Sequence, residues 1–312
     1  LPQPPVPDLS LDSVMSWTDQ CVFHELRIQA HVRSAECRLL DGSTQITAGT
    51  FDNCLAKLRQ VRDERNLPPV TGKVVILLHG LGAPRWSMRM LANHLRQKGD
   101  YTTISLDYAS LRAGIDHHAG SLANVIRNLP DVAEISFVGH SMGNIVVRRY
   151  LAGSNSPEHP WTADPRIKRI VMIAPPNNGS LTAKQLSNLT AFQAVFGKSG
   201  VQLGAEWGEL EERLAIPHVE FGIIAGGFGH PLGLNPLLPG DDDGRITVET
   251  TRLPGASDFA VVPAVHELIG NDPRVFDYTL SYLQHGFFIA ANARQPIEVE
   301  SLAEGPTATR TR

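Results

Sequence analysis

Residues 134–150 read EISFVGHSMGNIVVRRY, and the fold follows from them. The stretch opens as a short apolar, β-prone run (Ile135, Phe137, Val138) and passes through Gly139-His140-Ser141-Met142-Gly143. It then continues with Ile145, Val146 and Tyr150 at helical spacing. A serine therefore stands on a sharp turn between a buried strand and a helix. The glycines two positions before and after it have a steric reason, since at so tight a turn a Cβ there would collide with the neighbouring strand or helix. This pattern is a nucleophile elbow with Ser141 at its tip. The helix beginning at Met142 adds free backbone N–H groups and a positive dipole end where a negative oxygen would form.

Working outward, residues 73–78 (KVVILL) are apolar without alternation, as a central strand buried on both faces reads. They end in His79-Gly80-Leu81-Gly82. A glycine-rich corner after a central strand lets backbone N–H groups turn toward the elbow, so that the Leu81 N–H joins that of Met142 as an oxyanion hole. The same corner also reads as an ordinary strand-to-helix turn. Residues 86–95 have the pattern of an amphipathic helix, 102–106 of a strand and 117–129 of a helix that stops before Pro130. The alternation predicts an α/β fold with a doubly wound, mostly parallel sheet. Ahead of it, residues 25–30 and 37–40 alternate as a β-hairpin of half-buried edge strands closed by Asp41-Gly42. Thr50 caps a helix whose Phe51, Cys54, Leu55, Leu58 and Val61 recur at helical spacing and cover one face of the sheet.

Composition bounds the rest. A chain of 312 residues, 42% of them hydrophobic and 19% charged, can bury a large core in a single α/β domain, expected over 70–290, with residues 1–69 packed against it. The net charge of −4 and the lack of a basic cluster argue against nucleic acid or anionic membrane as a partner and favour a small neutral or apolar substrate. No apolar run approaches the ~18 residues of a membrane span. The first residue, Leu1, and the Pro-rich arm at 1–7 read as a mature terminus left by an excised signal segment, which predicts a secreted or periplasmic protein. Cys21, Cys37 and Cys54 match no zinc spacing; they read as small buried hydrophobes with at most one stapling disulfide among them.

LLHGLG at 77–82, VGHSMGN at 138–144 and IAPPNNGS at 173–180 together resemble the bacterial triacylglycerol lipases and related esterases of the α/β-hydrolase fold. The resemblance spans roughly residues 70–288. It implies Ser, Asp and His in that chain order, with the acid after a late strand and the histidine in the last loop. Residues 168–174 and 219–225 are the next two strands. The connection between them, 175–217, carries Leu186, Leu189, Phe192, Val195 and Trp207; in lipases an insertion here forms a lid or cap, although the same pattern fits a static packing helix. Trp86 and Trp207 are the expected substrate contacts.

The acid is sought in Asp241-Asp242-Asp243-Gly244. Asp243 matches the family's Asp-Gly-x-[Val/Ile] position, Asp242 is its rival, and three adjacent aspartates also read as a solvated turn or weak calcium loop. Among twelve histidines, His79 and His140 belong to loop motifs, His117 and His118 precede the nucleophile, and His218 and His230 precede the acid. His266, in a loop past the last strand, is the expected base, with His285 as runner-up. Residues 291–312 read as a disordered tail. The resulting mechanism is serine acyl transfer on a small-molecule or lipid ester: His266 takes the Ser141 proton, Asp243 holds the imidazole, and no metal or organic cofactor is required. A thioesterase, amidase or acyltransferase would share every one of these residues, and a non-catalytic binding protein of this fold would be expected to lack one.

Overall fold

The computed structural model describes residues 15–156, 160–186 and 190–299, at 191–193 the backbone alone. The arm at 1–7, Leu189, the Phe192 side chain and residues 300–312 of the tail lie outside the described residues. The first element is a four-stranded antiparallel sheet of β1 (Trp17–Phe23), β2 (Leu26–His31), β3 (Cys37–Asp41) and β4 (Thr44–Gly49), in that order. The expected hairpin is thus the centre of a larger sheet, and its strands are inner strands rather than edges. β1 leaves no alternating pattern in the sequence, because Thr18, Asp19 and Gln20 of WTDQCVF are buried along with its apolar residues. Helix α1 (Phe51–Glu64), with Thr50 Oγ1 accepting from the Asn53 N–H at 3.3 Å, closes a separate small core of Cys21, Leu26, Ile28, Leu39, Cys54 and Leu58. All three cysteines are free and buried there, and burial pushes the Cys21 thiol up to about 12.

The main sheet is formed by β5 (Gly72–Leu78), β6 (Thr102–Ser105), β7 (Val132–His140), β8 (Ile167–Ile173), β9 (Glu220–Gly226) and β10 (Asp258–Val262). Its order is β10-β9-β8-β7-β5-β6 and every pair is parallel. The continuous apolar strands have their reason in the two cores. Val74, Ile76, Leu78, Phe137 and Met172 face one side, and Val75, Leu77, Val138, Val171 and Ile173 face the other. A short 3₁₀ turn (Arg85–Met88) and α2 (Arg89–Gly99) follow β5, α3 (Ile115–Arg127) follows β6, and α4 (Met142–Leu151) follows β7. β1 docks on α3, where the Gln20 amide donates to Ser121 Oγ at 3.0 Å and accepts from Asn124 at 2.7 Å.

Between β8 and β9 the chain makes a helical excursion of α5 (Leu181–Leu186), α6 (Thr190–Gln202) and α7 (Trp207–Glu211). Arg148 of α4 clamps both its roots, donating to the carbonyls of Ala215 at 3.0 Å and Asn177 at 2.9 Å. Near its middle, Gly197 (φ 57°) brings α6 so close to the chain before α3 that a Cβ would lie 1.9 Å from the Leu111 carbonyl oxygen. Ser199 Oγ donates to Ala113 O at 2.8 Å, and the Ile115 N–H donates to Gln202 Oε1 at 2.9 Å. The excursion is therefore docked at its roots and along α6. After β9 come α8 (Val248–Thr251), β10 and α9 (Pro273–His285).

Residues 291–299, expected to be part of a disordered tail, are docked on the fold. Ile297 exchanges backbone hydrogen bonds with Gly255 (2.8 Å) and Ala256 (2.9 Å), and the Gln295 N–H donates to Asp258 Oδ1 at 2.9 Å. Polar composition hid this docking, because its hydrogen bonds use the backbone and a distant aspartate.

At the elbow, helix α4 presses on strand β5. A Cβ on Gly143 would sit 2.4 Å from the Leu78 carbonyl oxygen, whereas one on Gly208, in α7, would meet nothing within 4 Å. Gly143→Ala is expected to lower unfolding stability by about 2–3 kcal/mol or more, and Gly208→Ala to leave it unchanged or raise it by less than about 1 kcal/mol. Urea melts of the two variants check this; equal midpoints would mean that α4 does not press on β5.

Candidate active site

Ser141 sits between β7 and α4 with φ 51° and ψ −122°, a conformation that costs a non-glycine residue about 1–3 kcal/mol. Its surroundings impose it. The Ser141 N–H donates to Ile173 O at 2.9 Å, and its carbonyl accepts from the Asn144 N–H and the Asn144 side-chain amide, each at 3.1 Å. The sequence-level reason for the flanking glycines holds at both positions. A Cβ on Gly139 would fall 2.8 Å from the Asn144 backbone nitrogen, and one on Gly143 would strike β5 as described. The strained turn aims Oγ out of the sheet, beside the first turn of α4, whose N–H groups have no intrahelical acceptor.

The three consecutive aspartates have three different tasks. Asp241 accepts from the N–H groups of Phe228 and Gly229, both at 2.8 Å, and so closes the loop after β9. Asp242 accepts from Gly244 N–H at 2.6 Å and Asn235 N–H at 3.1 Å. Asp243 uses Oδ1 to accept from the N–H groups of Arg245 (3.0 Å) and Ile246 (2.8 Å), which leaves Oδ2 to meet His266 Nδ1 at 2.7 Å. The carboxylates diverge instead of converging on a common centre, and no cluster of metal-ligating side chains occurs among the described residues.

His266 faces Ser141 Oγ with Nε2 at 2.9 Å, and its own N–H donates to Asp243 O at 2.9 Å. With Nδ1–H donating to the carboxylate, Nε2 is the basic nitrogen, and it lies within reach of the hydroxyl proton. Three other histidines have structural partners. His140 Nε2 donates to His266 O at 3.0 Å; burial, reinforced by the neighbouring His266, pushes its pKa down to about 3, so it stays neutral and steadies the His266 loop. His79 is buried, donates from Nδ1 to Gly80 O at 2.8 Å and stacks on Tyr108. His285, the runner-up, closes α9 with its ring stacked on Phe287.

A cavity of about 240 Å³ opens onto Ser141 and His266. Gly80 and Leu81 line one side; Pro176, Ala183, Leu186, Phe196 and Leu203 form an apolar wall from the helical excursion. Ser87, Met88, Gly270 and Asn271 line it from the 3₁₀ turn and the His266 loop, and Arg245 and Glu267, paired at 2.9 Å, stand at its edge. Neither tryptophan expected at the substrate lines this cavity. Trp86 is 51% exposed on the 3₁₀ turn, where its neighbours Ser87 and Met88 face inward instead. Trp207 packs against Gly179, where a Cβ would come within 2.9 Å of its ring, and supports the root of the excursion. Phe196 and Leu203 carried no sequence signal, because the kink at Gly197 breaks the helical phase of α6.

The alpha/beta hydrolase family matches this chain over residues 75–300. Among solved structures, the lipase BlEst2 of Bacillus licheniformis in its mature form is similar with a TM-score of 0.50 at 16% identity, over 70% of this chain and 91% of that one. The propeptide form of that lipase gives a TM-score of 0.50 at 18% identity, over 74% of this chain and 52% of the other. No curated protein sequence is similar enough to match. With a family match across most of the chain and this strand order around a serine elbow, the chain belongs to the alpha/beta hydrolase family.

Proposed function

We propose that the protein hydrolyses carboxylic esters through an acyl-enzyme, with Ser141 as nucleophile, His266 as general base and acid, and Asp243 as the group that holds the imidazole. The observation that carries this reading is the unbroken chain from Ser141 Oγ to His266 Nε2 (2.9 Å) and from His266 Nδ1 to Asp243 Oδ2 (2.7 Å) at the floor of a cavity. His266 takes the hydroxyl proton as Oγ adds to the ester carbonyl, and the N–H groups of Leu81 and Met142 receive the negative oxygen. The imidazolium then protonates the leaving alkoxide; a water activated by the same histidine releases the acid and restores Ser141. Asp243, buried and held by two backbone N–H groups, orients the imidazole and fixes its tautomer. The apolar wall from the excursion suits an acyl chain, and the cavity is small for a ligand site, which favours short or medium chains. Thioesters and amides would use the same residues, and turnover of matched ester, thioester and amide substrates separates the three.

Ser141→Ala is expected to lower kcat on p-nitrophenyl butyrate by on the order of 10⁴-fold or more with an unchanged melting profile; retained turnover in a folded variant would sink the assignment. Asp243→Asn should cost about 10²- to 10⁴-fold, and Asp241→Asn less than about threefold, because only Asp243 reaches the imidazole. Steady-state kinetics on the two variants rank them, and the reverse order would move the acid. For the acyl wall, Phe196→Ala should reduce kcat/KM for octanoyl esters roughly tenfold more than for acetyl esters, at about 0.8 kcal/mol per uncovered methylene. Trp207→Ala, packed away from the cavity, should affect both esters alike; a chain-length effect confined to Trp207 would relocate the acyl site.

A further inference from the structure

The loop that carries Leu81 is gripped from behind by a short segment that the proposed chemistry never touches. Residues 107–110, just past β6, meet it at three points on either side of Leu81. The Tyr108 hydroxyl donates to His79 O, and the Gly82 N–H donates to Ser110 Oγ at 3.0 Å. Asp107 accepts from the Arg85 N–H with Oδ1 at 3.3 Å and from the Arg85 guanidinium with Oδ2. The loop from Gly80 to Arg85 therefore has its backbone set by Asp107, Tyr108 and Ser110.

That segment is fixed in turn by the N-terminal sheet. The Asp19 N–H donates to Asp107 O at 2.9 Å, the Asp107 N–H donates to Asp19 Oδ2 at 2.8 Å, and the Ala109 N–H donates to Thr18 Oγ1 at 3.2 Å. Asp19 is itself held by the Arg27 guanidinium and by the Gln29 amide at 3.0 Å, and Arg27 also donates to Ser105 O at 2.9 Å. Asp19 and Asp107 are only 1% and 3% exposed. Burial opposes the Asp107 charge, yet Arg85 and Arg27 outweigh it and hold the carboxyl below its usual range. A seam of two carboxylates and two guanidiniums is a poor way to gain stability, because desolvation offsets most of the attraction; it is a good way to fix one geometry, since each fork has a single partner arrangement.

We propose that Asp107 is a positioning residue for the oxyanion loop and that Asp19, by fixing Asp107, makes the N-terminal sheet part of the catalytic scaffold. The proposal rests on the ester-hydrolase reading and on Leu81 as an oxyanion donor. Asp107→Asn leaves one acceptor where Arg85 needs two, so the loop slackens and the Leu81 N–H moves off the oxyanion position without touching the nucleophile, the base or the acyl wall.

The test uses the full chain and counts active sites by titrating Ser141 to completion with a fluorophosphonate, so that kcat is expressed per competent site. For Asp107→Asn, kcat on p-nitrophenyl butyrate should fall about ten- to a hundredfold with KM changed less than about twofold. An alkyl trifluoromethyl ketone, which Ser141 attacks to give a tetrahedral oxyanion, should lose affinity by the same factor as kcat/KM. A merely structural role would lower the melting temperature and the number of titrated sites but would not move the inhibition constant. Should Asp107→Asn fail to fold, Ser110→Ala removes the acceptor for the Gly82 N–H and is expected to show the same parallel loss. Unchanged kcat per site, or a fall in kcat with unchanged ketone affinity, overturns this proposal alone; a wild-type chain that neither titrates nor turns over the ester overturns the ester-hydrolase reading with it.

Discussion

The strained backbone of Ser141 is the constraint from which the rest of the site follows. An L-residue at φ 51° persists only where its surroundings over-determine it, and here they do so from three sides. Ile173 of the neighbouring strand holds the Ser141 N–H, Asn144 holds its carbonyl twice, and the first turn of α4 lies directly on the end of β5. That last contact sets the distance between the elbow and the loop after β5. It therefore fixes how far the Met142 N–H stands from that of Leu81. A methyl group at Gly143 would disturb the serine and its facing loop together.

Asp243 and His266, the proposed acid and base, are placed by a different device. The proposed triad requires a carboxylate that points at one imidazole nitrogen, and the 241–243 turn achieves this by dividing labour. Asp241 and Asp242 satisfy backbone N–H groups of their own loop and hold the turn rigid. Asp243 is thereby presented with one oxygen stabilised by two N–H donors and the other free for His266. The backbone bond from the His266 N–H to Asp243 O ties the two loops into one unit, and neutral His140 supports it from below. Second-layer contacts of this kind keep the imidazole within range of Oγ before any substrate arrives.

Two peripheral parts lean on this centre without supplying chemistry to it. The helical excursion brings the apolar wall, and its docking through Arg148, Gly197, Ser199 and Gln202 gives that wall a defined shape. The N-terminal sheet reaches the site through the buried carboxylate and guanidinium seam at Asp19 and Asp107 and through Thr18 on Ala109. Both act through geometry: one shapes the apolar wall of the cavity, the other the loop after β5 that carries Leu81.

By itself the sequence determined the elements whose signals are local. The central strands show as unbroken apolar runs because both faces are buried, the elbow shows in the glycines on either side of Ser141, and the family resemblance, with its chain order and Asp-Gly turn, points to Asp243 and His266. Only the tertiary structure decided matters that depend on which surfaces meet. Strand β1 was hidden because Thr18, Asp19 and Gln20 are polar yet buried, their partners lying about ninety to a hundred residues away in Asp107, Ala109, Ser121 and Asn124. Residues 291–299 looked disordered because backbone bonds to Gly255 and Ala256 leave no mark in composition. Trp207 is expected at the substrate from its place in the apolar connection beside the elbow, and Trp86 with it, whereas the choice of Leu186, Phe196 and Leu203 instead rests on how a kinked helix lies over the elbow. Hydrophobic period and turn chemistry act over a few residues and can be read along the chain; the facing of surfaces is a property of the folded packing and is set only when the elements close on one another.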